Sequence, residues 1–280
     1  MESIAPAQEV SARARRPTQA MNHPHKPETG DYTPPENPCP RCALRNSLLA
    51  EGRCAPGDAC LFVHSGRQID RFLARNPGFA EGCLSDDFWE RRAIAVRYAP
   101  AEAAGRLIDD PDETVRRAVA VRAEGEALLH LARDEDREVR VTVATRLPPS
   151  ELGRLMRDPD YAVRLQVARR LPHGSLPQMT DDPDPVVRKE IARRLPAFAL
   201  SRLARDADPE VRALAAGRML PNDAATMLAD PHWLVRAAAV QQAPLEALAA
   251  VSDDPEETIR LLVADRLTDA AETPQSAPDQ

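Results

Sequence analysis

Four cysteines in one short stretch are the residues of this chain best placed to do chemistry. Two residues separate Cys39 from Cys42, eleven lead on to Cys54, five more to Cys60, and Cys83 lies well apart. Thiolates bind metals, and a C-x-x-C start lets two of them reach one centre from a tight turn. Gly52 and Gly57 let the chain bend back and deliver the other two. Four thiolates satisfy either a [4Fe–4S] cluster or a tetrahedral zinc ion. Zinc ribbons ordinarily present two short knuckles of similar spacing, and the Cys54-to-Cys60 interval is wide for the second; a cubane tolerates ligands on uneven loops. The run is also unlike the dense bacterial ferredoxin pattern. Spacing leaves both metals open. Cys83, beside Phe79 and Leu84, aligns with Ile108 and Met156 and reads as a buried packing residue. His64, beside Leu61, Phe62 and Val63, reads as an ordinary packed or exposed side chain, and Arg67, Asp70 and Arg71 as surface charges near the module.

Little else suggests catalysis. The six histidines are scattered, no Ser–His or Cys–His constellation stands out, and no glycine-rich phosphate loop is present. A lone cysteine cluster without a flavin or haem motif is not a complete electron-transfer enzyme, and the C-x-x-x-C-x-x-C triplet of radical enzymes is missing. The chain reads as a non-enzyme.

The cysteines sit in a small loop-rich module, and from Ser85 onward the sequence repeats itself. Val115-Arg116, Val139-Arg140, Val163-Arg164, Val187-Arg188, Val211-Arg212, Val235-Arg236 and Ile259-Arg260 recur every 24 residues. A looser first copy puts Arg91 in that arginine column, 25 residues before Arg116, giving eight copies. An aspartate column runs through Asp110, Asp134, Asp158, Asp182, Asp206, Asp230 and Asp254. A second arginine column holds Arg97, Arg122, Arg146, Arg170, Arg194, Arg218 and Arg266, with Gln242 in the gap. Fixed-period self-similarity is the mark of a solenoid. Within a copy, Asp110 is expected to N-cap a helix, with Pro111 at its first position. Val115, Val119 and Ala120 then share one face, and Pro148, Pro172 and Pro196 end the helices after Leu147, Leu171 and Leu195. The remainder, such as Glu151 to Arg157, suits only a turn or two of tight helix. Arg116 and its column equivalents read as a half-buried structural ladder to aspartates of the same or the adjacent unit. The second column should lie near the helix C-termini, where it can meet carbonyls or form a binding surface: Arg122, Arg146, Arg170, Arg194, Arg218 and Arg266.

Aromatic residues make up only 4% of the chain, so the core must come from Ala, Val and Leu in closely stacked helices. Of 37 basic residues only Lys26 and Lys189 are lysine. The net charge of −7 disfavours non-specific nucleic-acid binding, though a local basic groove would permit it. No stretch is apolar enough to span a membrane, and Arg13, Arg15 and Arg16 are followed by no apolar signal core, so a reducing, cytoplasmic location is expected. The organisation expected is a flexible segment 1–35, a cysteine-rich module 36–84, eight repeats over 85–269 and a flexible end 270–280.

The unit D-P-D-x-x-V-R-x-x-V-A-x-R-L-P resembles that of the leucine-rich repeat variant (LRV) family, and members with an N-terminal cysteine cluster resemble this chain from about Asn37 to Asp269. The resemblance implies an all-α, right-handed superhelical solenoid of alternating α- and 3₁₀-helices. It also implies a [4Fe–4S] cluster on the N-terminal module, whose ligands would be Cys39, Cys42, Cys54 and Cys60, and an association with bacterial nitrogen-fixation gene regions. The expected function is a protein–protein interaction scaffold joined to an oxygen- or iron-sensitive cluster. The alternatives are a nucleic-acid-binding repeat protein with structural zinc, and an electron donor to a partner enzyme.

Overall fold

A computed structural model describes residues 39–272. The expected flexible segments 1–35 and 273–280 lie outside the described residues, whereas 270–272 belong to the last helix. Helix α1 (Gly66–Arg75) belongs to the cysteine module. Eight repeat helices follow: α2 (Trp89–Tyr98), α3 (Glu113–Arg122), α4 (Arg137–Arg146), α5 (Tyr161–Arg170), α6 (Pro185–Arg194), α7 (Pro209–Ala216), α8 (Trp233–Gln242) and α9 (Glu257–Glu272). Each packs on the helix before and the helix after, so the array is a one-dimensional stack.

Short connectors alternate with these helices. Five of them, Leu152–Leu155, His173–Met179, Ala197–Ala199, Leu203–Arg205 and Leu245–Val251, are 3₁₀ turns. Ala101–Gly105 and Gly125–Leu131 are α-helical instead, in line with their Ala, Glu and Leu content. Pro221–Ala225 is α-helical before passing into 3₁₀ geometry at Thr226–Ala229. No strand occurs among the described residues.

Helices α3 to α7 begin at a carboxylate two residues later than the sequence suggests. Asp112 is the N-cap of α3, accepting from the Thr114 N–H, and Asp136, Asp160, Asp184 and Asp208 do the same for α4 to α7. Asp110, expected in that role, accepts instead from the Asp112 N–H at 2.9 Å, making a turn that hands the chain to the true cap. His232 caps α8 through Nδ1. The helices stop where a leucine before proline is forced into extended backbone: Leu147 has ψ 141° and Leu171 ψ 139°.

The core is a set of columns. Val115, Val139, Val163, Val187, Val211, Val235 and Ile259 are fully buried, as are Ala120, Ala144, Ala168 and Ala192 one turn on. Burying a Val or Leu contributes about 1.5–3 kcal/mol, so the repetition itself stabilises the stack.

Candidate metal centre

The cysteine module is a loop held against α1. A five-residue π-helical turn, Arg45–Leu49, buries Leu48, whose carbonyl accepts from the N–H groups of Arg53 and Cys54. Gly52 (φ 69°) and Gly57 (φ 80°) take left-handed backbone on either side of Cys54, the bends expected of them. Ala55 and Ala59 exchange backbone hydrogen bonds, closing the turn before Cys60, and the Cys60 N–H donates to the Gln68 carbonyl on α1. Two further ties hold the loop. Asp58 pairs with Arg71 and Arg75 of α1, and the buried Asn76 Nδ2 donates to the Arg53 carbonyl at 2.8 Å.

This folding brings Cys39, Cys42, Cys54 and Cys60 to the wall of one cavity, which Leu44, Ala59, Leu61, Val63 and Phe72 complete. All four are partly exposed. Burial pushes the Cys54 thiol up, and the facing sulfurs of Cys39, Cys42 and Cys60 push it further. Four thiols on the wall of one apolar cavity are, by their chemistry, a donor set that suits a metal centre, though their sulfurs are not drawn together to ligand geometry. Among the described residues no three His, Cys, Asp or Glu side chains converge as ligands of one ion.

Residues near the centre behave more simply. The His64 ring stacks on Phe88 with centroids 4.7 Å apart. Cys83 is buried, its thiol donating to the Phe79 carbonyl at 3.2 Å and pushed up by burial. Its column is not that of Ile108 and Met156. At 24-residue spacing it matches the half-buried Leu107 and then Leu131, Leu155, Met179, Leu203, Met227 and Val251, all buried. Arg71 pairs within the module, whereas Asp70 reaches out of it to Arg97 and the Tyr98 hydroxyl of α2. That contact and the shared apolar core join module to array.

The first arginine column is a ladder between neighbouring repeats. Arg116 Nε and Nη2 straddle the Asp134 carboxylate at 2.8 and 3.0 Å, while Nη1 donates to the Asp110 carbonyl at 2.8 Å. Arg140–Asp158, Arg164–Asp182, Arg188–Asp206, Arg212–Asp230 and Arg236–Asp254 repeat this geometry. The first rung is Arg92–Asp110, not a rung from Arg91. The first copy therefore keeps strict 24-residue register, and Tyr98 rather than Arg97 occupies the second column. Arg91 falls in the valine column; it is buried, bonded to Asp86 at 2.5 Å and stacked over Phe88.

The second column reaches backwards. Arg146 Nη1 donates to the carbonyls of Ala120 and Ala123 at 2.8 and 2.6 Å, at the C-terminus of the preceding helix. Arg122, Arg170, Arg194, Arg218 and Arg266 make equivalent contacts one repeat back. These guanidiniums satisfy helix-end carbonyls through one nitrogen.

Together these features define a class: a helical-repeat solenoid with a four-cysteine module at its N-terminal end. Family models match it in two parts, an LRV protein FeS4 cluster over residues 33–82 and leucine-rich repeat variant units at 137–160 and 161–184. A solved structure described as a leucine-rich repeat variant with a novel repetitive structural motif is 52% identical, with a TM-score of 0.79, over 81% of this chain and 97% of that one. The chain belongs to the leucine-rich repeat variant family. It is also 37% identical over 99 residues to an uncharacterized 27.7 kDa protein in the nifB 3′ region of Rhodobacter capsulatus, a match spanning 35% of this chain and 40% of that relative.

Proposed function

We propose that this protein is a non-enzymatic interaction scaffold whose N-terminal end is closed by a [4Fe–4S] cluster on Cys39, Cys42, Cys54 and Cys60. The observation that carries this reading is that those four cysteines all line one cavity packed against α1. When bound, the cluster supplies a cationic core that neutralises the thiolates and crosslinks the Cys39–Cys60 loop. The chain's own residues do the rest. Asp58 and Asn76 pin the loop to α1, and Asp70 ties α1 to Arg97 and Tyr98 of the first repeat. Oxygen damage or iron shortage would loosen the loop, then α1, and change how the array meets its partner.

The FeS4 family match supports the cofactor, and the nifB-region relative supports a setting in nitrogen fixation. Anaerobic purification followed by iron and sulfide analysis tests the reading. It expects about four of each per chain; stoichiometric zinc without iron would sink it. Described helices include none long and apolar enough to cross a membrane.

The partner is a protein that meets the second-column arginines Arg122, Arg146, Arg170, Arg194, Arg218 and Arg266, whose carbonyl contacts run through Nη1 alone. Acidic protein segments suit such a row. Retention on DNA that collapses steeply with salt would identify nucleic acid as the partner instead.

A further inference from the structure

The C-terminal ends of α4 to α7 lie side by side, because Arg170, Arg194 and Arg218 each reach a carbonyl at the end of the helix before. Two 24-residue columns on this edge change character in the middle of the array. In the first, α5 and α6 carry Arg169 and Arg193, both exposed. Val121, Thr145, Gly217, Gln241 and Asp265 at the same position show that the fold needs no arginine there. Arg97, the column's other arginine, is paired with Asp70. The second column runs through the connectors. It is acidic toward its ends, at Glu102, Glu126 and Glu246, and uncharged between, at Ser150, Gly174, Phe198 and Asn222. Phe198 is 74% exposed.

The outcome is a basic patch on an acidic chain. Arg169 and Arg193 stand beside the second-column Arg170 and Arg194, with Arg146 and Arg218 on the flanking repeats. No Asp or Glu occurs in residues 161–180 or 191–205. The carboxylates nearest the patch are accounted for. Glu190 reaches Arg193 at 3.7 Å and is largely sheltered, and Glu151 is bonded to Arg154. Asp223 belongs to the following connector, and Asp181 and Asp184 sit at the opposite, N-terminal end of α6, where Asp181 is paired with Arg202. No carboxylate of the described residues pairs with Arg169, Arg170 or Arg194. Leu220, in the connector that follows Phe198, is 48% exposed where Pro148, Pro172, Pro196 and Pro244 occupy its column.

We propose that this patch binds a short acidic segment of a partner protein, anchored by an aromatic or large aliphatic side chain on Phe198. The proposal rests on the reading of the array as a protein-binding scaffold and places the partner at α5 and α6. Arg170 and Arg194 spend only Nη1 on carbonyls, which leaves Nε and Nη2 for a carboxylate, and Arg169 and Arg193 add further guanidiniums beside them. Exposed ion pairs alone contribute little, so the apolar area of Phe198 is what gives the contact strength. Charge around the patch limits the length of the segment. Helices stack about 8–10 Å apart, so α4 to α7 span about 24–30 Å, the reach of about seven to nine extended residues. A phosphate chain running further along this edge would meet Glu126 and Glu246, which a short acidic peptide does not.

The test is fluorescence anisotropy with the full chain and three labelled probes: a glutamate peptide with a central tryptophan, the same peptide with alanine there, and an oligothymidylate of equal charge. The wild-type chain should bind the tryptophan peptide saturably, and about tenfold more tightly than the alanine peptide. Arg169→Thr with Arg193→Thr, copying Thr145, should weaken both peptides about tenfold. Phe198→Ser, copying Ser150, should abolish the preference for tryptophan and leave the alanine peptide unchanged. These positions are exposed and each replacement already occurs in its column, so folding does not confound the comparison. Arg157→Ser, at an exposed arginine away from the patch, should change nothing. Peptide binding that survives both sets of substitutions overturns the proposed site and leaves the scaffold reading standing. No saturable binding of either peptide overturns the proposal, and oligothymidylate bound in their place overturns the scaffold reading with it.

Discussion

Each rung of the first arginine column takes a planar guanidinium and spends it on two partners: a carboxylate in the next repeat and a carbonyl in its own. Arg164 and Asp182 are each 7% exposed, which makes their rung among the best sheltered. Removing one member of a buried charged pair strands the other, so Arg164→Ala is expected to cost about 3–5 kcal/mol. Arg164→Lys keeps the charge but loses the fork and should still cost about 1–3 kcal/mol. Urea denaturation read by circular dichroism checks both; equal stability of wild type and Arg164→Ala would show that the rungs contribute nothing. The carboxylates also set an acid limit. Burial pushes Asp206 and Asp230 up, but hydrogen bonds from Arg188 and Arg212 and from backbone N–H groups hold them below the ordinary carboxylate range. In Asp254 the Arg236 hydrogen bond is the leading influence, in the same direction. A lowered folded-state pKa means stability that is present above the unfolded value, about 3.9, and lost as pH falls through the folded one. Melting temperature should therefore hold steady from neutral pH to about 5 and drop progressively below about 4. A flat profile down to pH 2 would contradict the ladder's electrostatic role.

At the scale of the element, the repeat helix was legible because its columns are chemical as well as periodic: Val115, Arg116, Ala120 and Arg122 all recur at one interval. The core face, the proline stops and the eight copies follow from that. The exact start of each helix was less legible, because D-P-D offers two caps and propensity cannot choose between them. Arg92 takes the first Asp, leaving Asp112 to cap. The first copy misled for a similar reason, since Arg91 and Arg92 are adjacent and only packing shows that Arg91 replaces a valine. That Cys39, Cys42, Cys54 and Cys60 come to one cavity was legible by spacing, whereas Asp58, Asn76 and Asp70, which anchor the loop and α1, carry no motif. Two element-scale outcomes follow. His232 caps α8 through a 3.3 Å contact where other copies use aspartate, so His232→Asp should stabilise the array by about 1 kcal/mol in denaturant titrations. Gly57→Ala meets no atom within 4 Å, so its cost is torsional, about 1–2 kcal/mol, and it should lower iron content per chain while leaving the α-helical signal nearly unchanged.

For the whole molecule, the one-dimensional stack decides how far a disturbance travels. Every repeat contacts its neighbours, so stability is a sum of unit and interface contributions, and a change at one end decays along the chain. The module meets the array through Asp70 with Arg97 and Tyr98, and through a core continuous from Leu48, Ile69 and Phe72 into Ile94 and Val96. The array keeps its own ladder, beginning at Arg92–Asp110, which owes nothing to the cysteines. Removing the metal centre with a chelator under anaerobic conditions should therefore speed amide hydrogen exchange strongly in residues 42–76 and measurably in α2. From α4 onward exchange should stay as it was, and the main thermal transition should persist. Asp70→Ala should confine the effect further, sparing α2 when metal is removed. If exchange instead rose uniformly through α9, the centre would be holding up the entire solenoid rather than its first turn. The proposed switch would then act by unfolding, not by altering one end of an intact binding surface.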